Sequence, residues 1–253
     1  MNNSEIKYYQ SLLDKKHRKE EKKFLAEGKR LVLEGIESNS ECEIIIFSKE
    51  FADSHQDIYD FLNKKELRIE ILKQDQYRKL TETKTSQGII AAFKYDTLNN
   101  LEKLDQNLII ALENISDPGN LGTIIRNCDW FGIKEIMLGE NCAELYNPKV
   151  IRSTMGSVFH IKFFNSRNLI SDLIHLKGKG YKIVCTDMDG ENIYNFRKHV
   201  KSIILFSSEA TGPSKELLDI TDSKITIPKF GQAESLNVAS ASAVTLAELL
   251  KTK

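Results

Sequence analysis

The stretch SDPGNLGTIIRNCDWFG, residues 116–132, follows an apolar run and gathers Asp117, Asn120, two glycines and Arg126. Asp and Asn side chains bond nearby backbone amides, Pro118 stiffens the turn, and Gly119 and Gly122 allow a ligand close to the backbone. A well-capped strand-to-helix turn with an Asn cap accounts for most of this, but not for the arginine. From Thr123 onward, Ile124, Cys128 and Phe131 share one helical face, which reads as the core face, and Arg126 falls on another, close to the turn. A helical arginine is more often a surface residue than a functional one, so Arg126 gains weight only in company with other site residues.

Two further stretches have the same character. LFSSEATGPSKELLD (205–219) carries Glu209 at a strand end just before the Gly212-Pro213 turn, and Ser214 reads as a helix cap. In IPKFGQAESLNVASASA (227–243), Pro228 ends a strand, Gly231 relaxes the loop, and Ser235 and Asn237 flank Leu236 before the last helix. Capping by Ser235 or Asn237 is the competing explanation there. Taken together, three loops that end predicted strands offer an arginine, a glutamate and a Ser/Asn pair, which is the make-up of a binding site. The chain has no G-x-G-x-x-G and no G-K-[ST], so it carries neither the dinucleotide fingerprint nor a triphosphate loop.

The elements that must position these loops are legible from periodicity. NLIIALEN (107–114), IKEIMLG (133–139), YKIVCTD (181–187), SIILFSSE (202–209) and KITIP (224–228) read as continuous apolar strands, with helical segments between them, one near 168–177. That alternation predicts a parallel sheet covered on both faces, whose ligands gather outside the carboxyl ends of its strands. SASAVTLAELL reads as a terminal helix rich in small residues, fit for close packing within the fold or across a dimer. Upstream, 5–37 reads as helix broken at Gly28, CEIIIFS (42–48), LRIEIL (67–72) and GIIAAFKY (88–95) as strands, and HQDIYDFLNKK as helix. The polar run DTLNNLEKLDQ marks the junction, giving an N-terminal α/β domain over 1–97, a linker over 98–106 and a larger α/β domain over 107–253.

With 253 residues, the chain can bury the cores that these domains need. Lys plus Arg and Asp plus Glu both number 36, so net charge argues for no particular partner. KKHRKEEKK (15–23) is the candidate for phosphate contact, and a solvated helix face is its plainer reading. Four cysteines and five histidines show no metal-ligand spacing, so no metal is expected, and the cysteines read as reduced thiols of a cytoplasmic protein. No apolar run reaches the length of a membrane span.

DPGNLGTIIR, SSEATG and IPKFGQAESLNVASASA, in that order and spacing, resemble the three motifs of the SpoU family of RNA ribose 2′-O-methyltransferases, within the trefoil-knotted methyltransferase superfamily. RKEEKKFLAEGKRLVLEGI (18–36) and SQGIIAAF (86–93) resemble that family's ribosomal-protein-like substrate-binding domain. The resemblance implies a C-terminal domain threaded as a trefoil knot, an exception to the rule against threading. It implies S-adenosylmethionine as cofactor, held by Leu205, Ser207, Gly212, Ile227 and Leu236, and a homodimer. It implies RNA as substrate, ribosomal before transfer RNA, with Arg126 in the role the family assigns to a base and Asn120 supporting it. Glu209, Ser235 and Asn237 shape the pocket and position cofactor or ribose. Ser207 departs from the family's usual Gly. That departure alone favours a non-catalytic knotted RNA-binding assembly factor; a nicotinamide-dependent enzyme lacks its glycine fingerprint.

Overall fold

The computed structural model describes residues 1–97 and 100–251, which leaves the first two residues of the expected 98–106 linker, and the last two of the chain, outside the described residues. Among the described residues ten strands form two sheets. They are β1 (Lys23–Glu27), β2 (Cys42–Ser48), β3 (Ile69–Leu72), β4 (Ile89–Lys94), β5 (Leu108–Glu113), β6 (Glu135–Leu138), β7 (Lys162–Asn165), β8 (Lys182–Asn192), β9 (Ser202–Ser207) and β10 (Ser223–Thr226). Two compact units result: Met1–Asp96 together with Glu144–Phe159, and Thr97–Ala143 together with His160–Lys253.

The first unit holds a four-stranded sheet in the order β1-β4-β2-β3. The expectation of helix over 5–37 fails at Lys23–Glu27, which is β1, paired antiparallel with β4. Phe24, Leu25 and Ala26 are all buried in succession, which suits a strand covered on both faces and not one stripe of a helix. Helices Asn3–Ser11, Lys15–Glu21 and Lys29–Glu37 account for the rest of the span, and Gly28 does mark a break. Leu25 packs with Ile44, Ile46, Ile90 and Ala92 on one face. On the other face Phe24 meets Tyr146 and Phe159, with ring centroids 4.9 and 5.9 Å away, and Tyr95 stacks on Tyr146 at 3.7 Å. The segment Glu144–Phe159, which by sequence falls inside the 107–253 stretch, thus supplies part of the first unit's core.

The basic run 15–23 is only partly a solvated face. Arg18 is 2% exposed: its Nη1 donates to the carbonyls of Leu12 (3.0 Å) and Leu13 (2.7 Å), and its Nη2 to Glu144 (2.5 Å). Lys23 is ion-paired with Glu43 and donates to the Tyr8 hydroxyl at 2.8 Å. Lys15, Lys19 and Lys22 remain exposed.

The second unit is built on six parallel strands in the order β10-β8-β9-β5-β6-β7, as the alternating pattern predicts. The strand β7 was not expected, because KFFN is a short strand of only four residues. From β5 the chain steps outward to β6 and β7, then returns to place β9 on the other flank of β5, so the topology switches direction between β5 and β9. These two strands align over six residues, from Leu108 opposite Ser202 to Glu113 opposite Ser207. Helices Pro118–Trp130 and Val238–Leu249 pack together: Asn127 Nδ2 donates to the Ala239 carbonyl and the Ser242 hydroxyl, both at 2.9 Å. The small residues of the last helix therefore serve packing within the fold. Burial pushes the Cys185 thiol on β8 up to about 12 and raises that of Cys128 as well, so both behave as small apolar groups. Among the described residues no helix is long and apolar enough to cross a membrane.

Arg18→Ala strands the Glu144 carboxylate and two carbonyls, and is expected to cost about 3–5 kcal/mol of stability. Lys19→Ala, an exposed site, is expected to stay within about 0.5 kcal/mol of wild type. Urea unfolding of the two variants checks this; equal stabilities would remove Arg18 from the core of the first unit.

Candidate functional site

The site assembles at the carboxyl ends of β5, β9 and β10, beside the switch point. After β5, Asp117 caps the helix Pro118–Trp130 by accepting the Asn120 amide at 2.8 Å, with Pro118 in the first turn. The cap is therefore Asp117, not an asparagine, and the Asn120 side chain is left for other bonds. Gly119 and Gly122 lie inside this helix and not in the positive-φ region, so they do not open a loop. A Cβ at Gly119 would come within 2.9 Å of the Asp117 cap oxygen.

After β9 the chain turns through Ser208–Pro213. Gly212 has a φ of +65°, a left-handed conformation that glycine adopts without strain, and its amide donates to the Ser208 carbonyl at 2.8 Å. This turn points Glu209 toward the other two motifs. After β10, the exposed stretch 229–237 leads to Asn237, whose Oδ1 accepts from the Ala239 and Ser240 amides at 3.0 and 3.4 Å. Asn237 thus caps the last helix while its Nδ2 donates to Asn120 Oδ1 at 2.9 Å and to Glu209 Oε1 at 3.3 Å. Asn120 Nδ2 also donates to Glu209 Oε1, at 3.4 Å. One residue from each of the three motifs meets in this triad.

A cavity of about 710 Å³ lies beside it, lined by Ser207, Glu209, Gly212, Ile227, Ser235 and Leu236 together with apolar side chains of β8, β10 and the last helix. Leu205 is not among its walls. Its side chain is buried in the sheet core, and its carbonyl accepts from the Thr186 hydroxyl at 3.0 Å. The Ser207 side chain donates to Glu113 at 2.9 Å, and so has a partner in the protein. Arg126 is exposed on the helix Pro118–Trp130 and makes no hydrogen bond or ion pair among the described residues. No group of His, Cys, Asp and Glu among the described residues is arranged to hold a metal. Sequence reasoning passed over Thr186 and Glu113, for which the available signal was position: Glu113 ends the apolar strand β5, and Thr186 follows the apolar run of β8.

A doubly covered parallel sheet with polar residues converging at its switch point defines an α/β domain of the ligand-binding kind. The sequence profile of the SpoU rRNA Methylase family matches residues 107–247, and that of the MRM3-like substrate binding domain matches residues 3–91. The chain is 33% identical over 252 residues to the 23S rRNA (guanosine(2553)-2′-O)-methyltransferase RlmP of Bacillus subtilis (strain 168), covering 98% of this chain and 96% of that one. It is 33% identical to the tRNA (guanosine(18)-2′-O)-methyltransferase of Aquifex aeolicus (strain VF5) over 152 residues, 58% of this chain and 71% of that one. The crystal structure of an AdoMet-bound rRNA methyltransferase from Sinorhizobium meliloti superposes with a TM-score of 0.83 at 26% identity, covering 98% of this chain and 94% of that one. The chain belongs to the SpoU rRNA methylase family.

The triad separates capping from bridging. Asn237→Ala removes the cap of the last helix and is expected to cost about 1 kcal/mol. Asn120→Ala leaves the Asp117 cap in place and is expected to cost less, about 0.5 kcal/mol or under. Urea denaturation of both variants tests the difference, and the reverse order would mean that Asn237 is not the cap.

Proposed function

We infer that the protein transfers the methyl group of S-adenosylmethionine to a ribose 2′-hydroxyl of ribosomal RNA. The observation that carries this is the meeting of Asn120, Glu209 and Asn237 at the rim of the cavity. The cavity fits the cofactor: its volume falls in the range of about 300–1,000 Å³ usual for such sites. Its apolar wall, with Ile193, Ile225 and Val238, suits an adenine, while Asp187, Glu209 and Ser235 offer polar groups to a ribose and a charged amino-acid end. Ser207, Gly212, Ile227 and Leu236 would hold the cofactor from the same walls, and Leu205 acts from behind by fixing β9. Bound there, the cofactor supplies a methyl group activated by a sulfonium.

The protein's own work is then to position the acceptor and manage its proton. A guanidinium keeps its charge at any pH a cell meets, so Arg126 serves better as an anchor for an RNA phosphate and for developing alkoxide charge than as a base. With no partner among the described residues, it keeps its donors for that role. Asn120 and Asn237 fix the Glu209 carboxylate, and Ser235 completes the rim. Ribosomal RNA is favoured because the likeness to RlmP runs over nearly the whole chain, whereas the likeness to the tRNA enzyme spans little more than half. The reading includes a knotted threading of the C-terminal unit, a cytoplasmic location and a homodimer. For the dimer the support is the apolar surface of the packed helices Pro118–Trp130 and Val238–Leu249, where Trp130 is 84% exposed and Val244 also reaches solvent.

Incubation with methyl-labelled S-adenosylmethionine and total RNA from cells lacking the gene, followed by nuclease mapping, tests the activity. One 2′-O-methylated rRNA position is expected, and Arg126→Ala is expected to lower its rate by about 100-fold or more. Arg126→Lys at near wild-type rate would exclude bidentate anchoring, and tight cofactor binding with no labelled RNA would favour the assembly factor. For the dimer, Trp130→Asp is expected to shift the light-scattering mass from two chains to one; an unchanged mass would place the interface elsewhere.

A further inference from the structure

Glu113 is the last residue of β5, and its register partner on β9 is Ser207. Side chains in register on adjacent parallel strands point to the same face of the sheet. Glu113 Oε2 accepts the Ser207 hydroxyl at 2.9 Å and also the backbone amide of Ser214 at 3.1 Å. Those two donors stand at the two ends of the turn Ser208–Pro213, which carries Glu209 and Gly212 to the cavity wall. The Ser214 hydroxyl, in the capping position of the helix Lys215–Ile220, caps nothing; it is buried without a hydrogen-bond partner among the described residues. The Ser214 amide, which a capping side chain would leave to others in any case, is satisfied by a carboxylate from the neighbouring strand.

We propose that Glu113 is a positioning residue for cofactor binding: a single carboxylate oxygen ties the end of β9 to the start of the next helix and so sets where Glu209 and Gly212 stand. The proposal rests on the methyltransferase reading of the cavity. It assigns Glu113 an effect through hydrogen-bond acceptance and not through charge, because both donors are neutral and share one oxygen. Ser207 is the side-chain half of this tie, and the Ser214 amide is the backbone half. Losing the tie frees the turn, so the cavity must order it on each binding event, and affinity falls.

The test titrates S-adenosylmethionine into the full-length protein by calorimetry, with circular dichroism as the check on folding. Glu113→Ala is expected to weaken binding about tenfold or more, since both bonds are lost. Glu113→Gln keeps a carbonyl oxygen as acceptor and is expected to stay within about threefold of wild type. Ser207→Ala is expected to fall between, and adding it to Glu113→Ala is expected to change nothing further, since their shared bond is already gone. Cofactor affinity of Glu113→Ala equal to wild type would overturn the proposal. So would Glu113→Gln as weak as Glu113→Ala, which would assign the effect to charge. Should Glu113→Ala fail to fold, Glu113→Gln and Ser207→Ala decide: a loss well beyond threefold in Glu113→Gln, or an affinity of Ser207→Ala equal to wild type, would sink the shared tie. If the wild-type protein itself binds no S-adenosylmethionine, the methyltransferase reading falls, and the proposal with it.

Discussion

The alignment of β5 against β9 is the constraint on which the second unit depends. Over six residues the two strands lie side by side at the centre of the parallel sheet, and nearly all of their side chains are buried. A strand buried on both faces has little room for polar side chains, because each would need a partner inside the core. Polar chemistry is therefore displaced to the strand ends. The switch in chain direction beside β5 makes the ends of β5 and β9 neighbours although Glu113 and Ser207 lie 94 positions apart in sequence. Two of the three motifs are brought together this way, and the third joins them because the last helix packs on the helix Pro118–Trp130.

At that edge, structural and functional demands fall on the same atoms. Asn237 uses its carbonyl oxygen to cap a helix and its amide to hold Asn120 and Glu209. Capping and site-building are therefore one arrangement of one side chain, since the amide group is planar and orienting one end orients the other. Asp117 does the reverse: by capping its helix, it leaves Asn120 able to face the triad. The division of labour between these two residues shows why a turn rich in Asp and Asn can be both an ordinary helix start and half of a site.

Much of this was legible in the sequence because periodicity and motif order are local properties. Five of the six strands of the parallel sheet follow from apolar runs with turn residues after them, and the motif residues Asn120, Glu209 and Asn237 lie on the segments that follow three of them. What could not be read depends on distant partners. The strand β1 looks helical because a basic helix precedes it and an amphipathic one follows, and only its pairing with β4 distinguishes it. Arg18 looks like one more solvated cation until Glu144 and the carbonyls of Leu12 and Leu13 are placed around it. Glu113 shows in sequence only as a polar residue ending an apolar strand, because its significance lies in a register with Ser207 that is fixed by the whole sheet.

The first unit is completed by residues that come late in the chain, and this bears on how the protein is made. When residue 96 leaves the ribosome, Phe24, Phe93 and Tyr95 still lack the rings of Tyr146 and Phe159 that cover them, and Arg18 lacks its carboxylate partner. At about 5–20 residues per second, the intervening sixty-odd residues occupy several seconds of synthesis. During that interval the nascent N-terminal segment holds an unfinished aromatic surface. Synthesis of β5 and β6 is already over when the cover arrives, so the first unit cannot be completed before part of the second has been made.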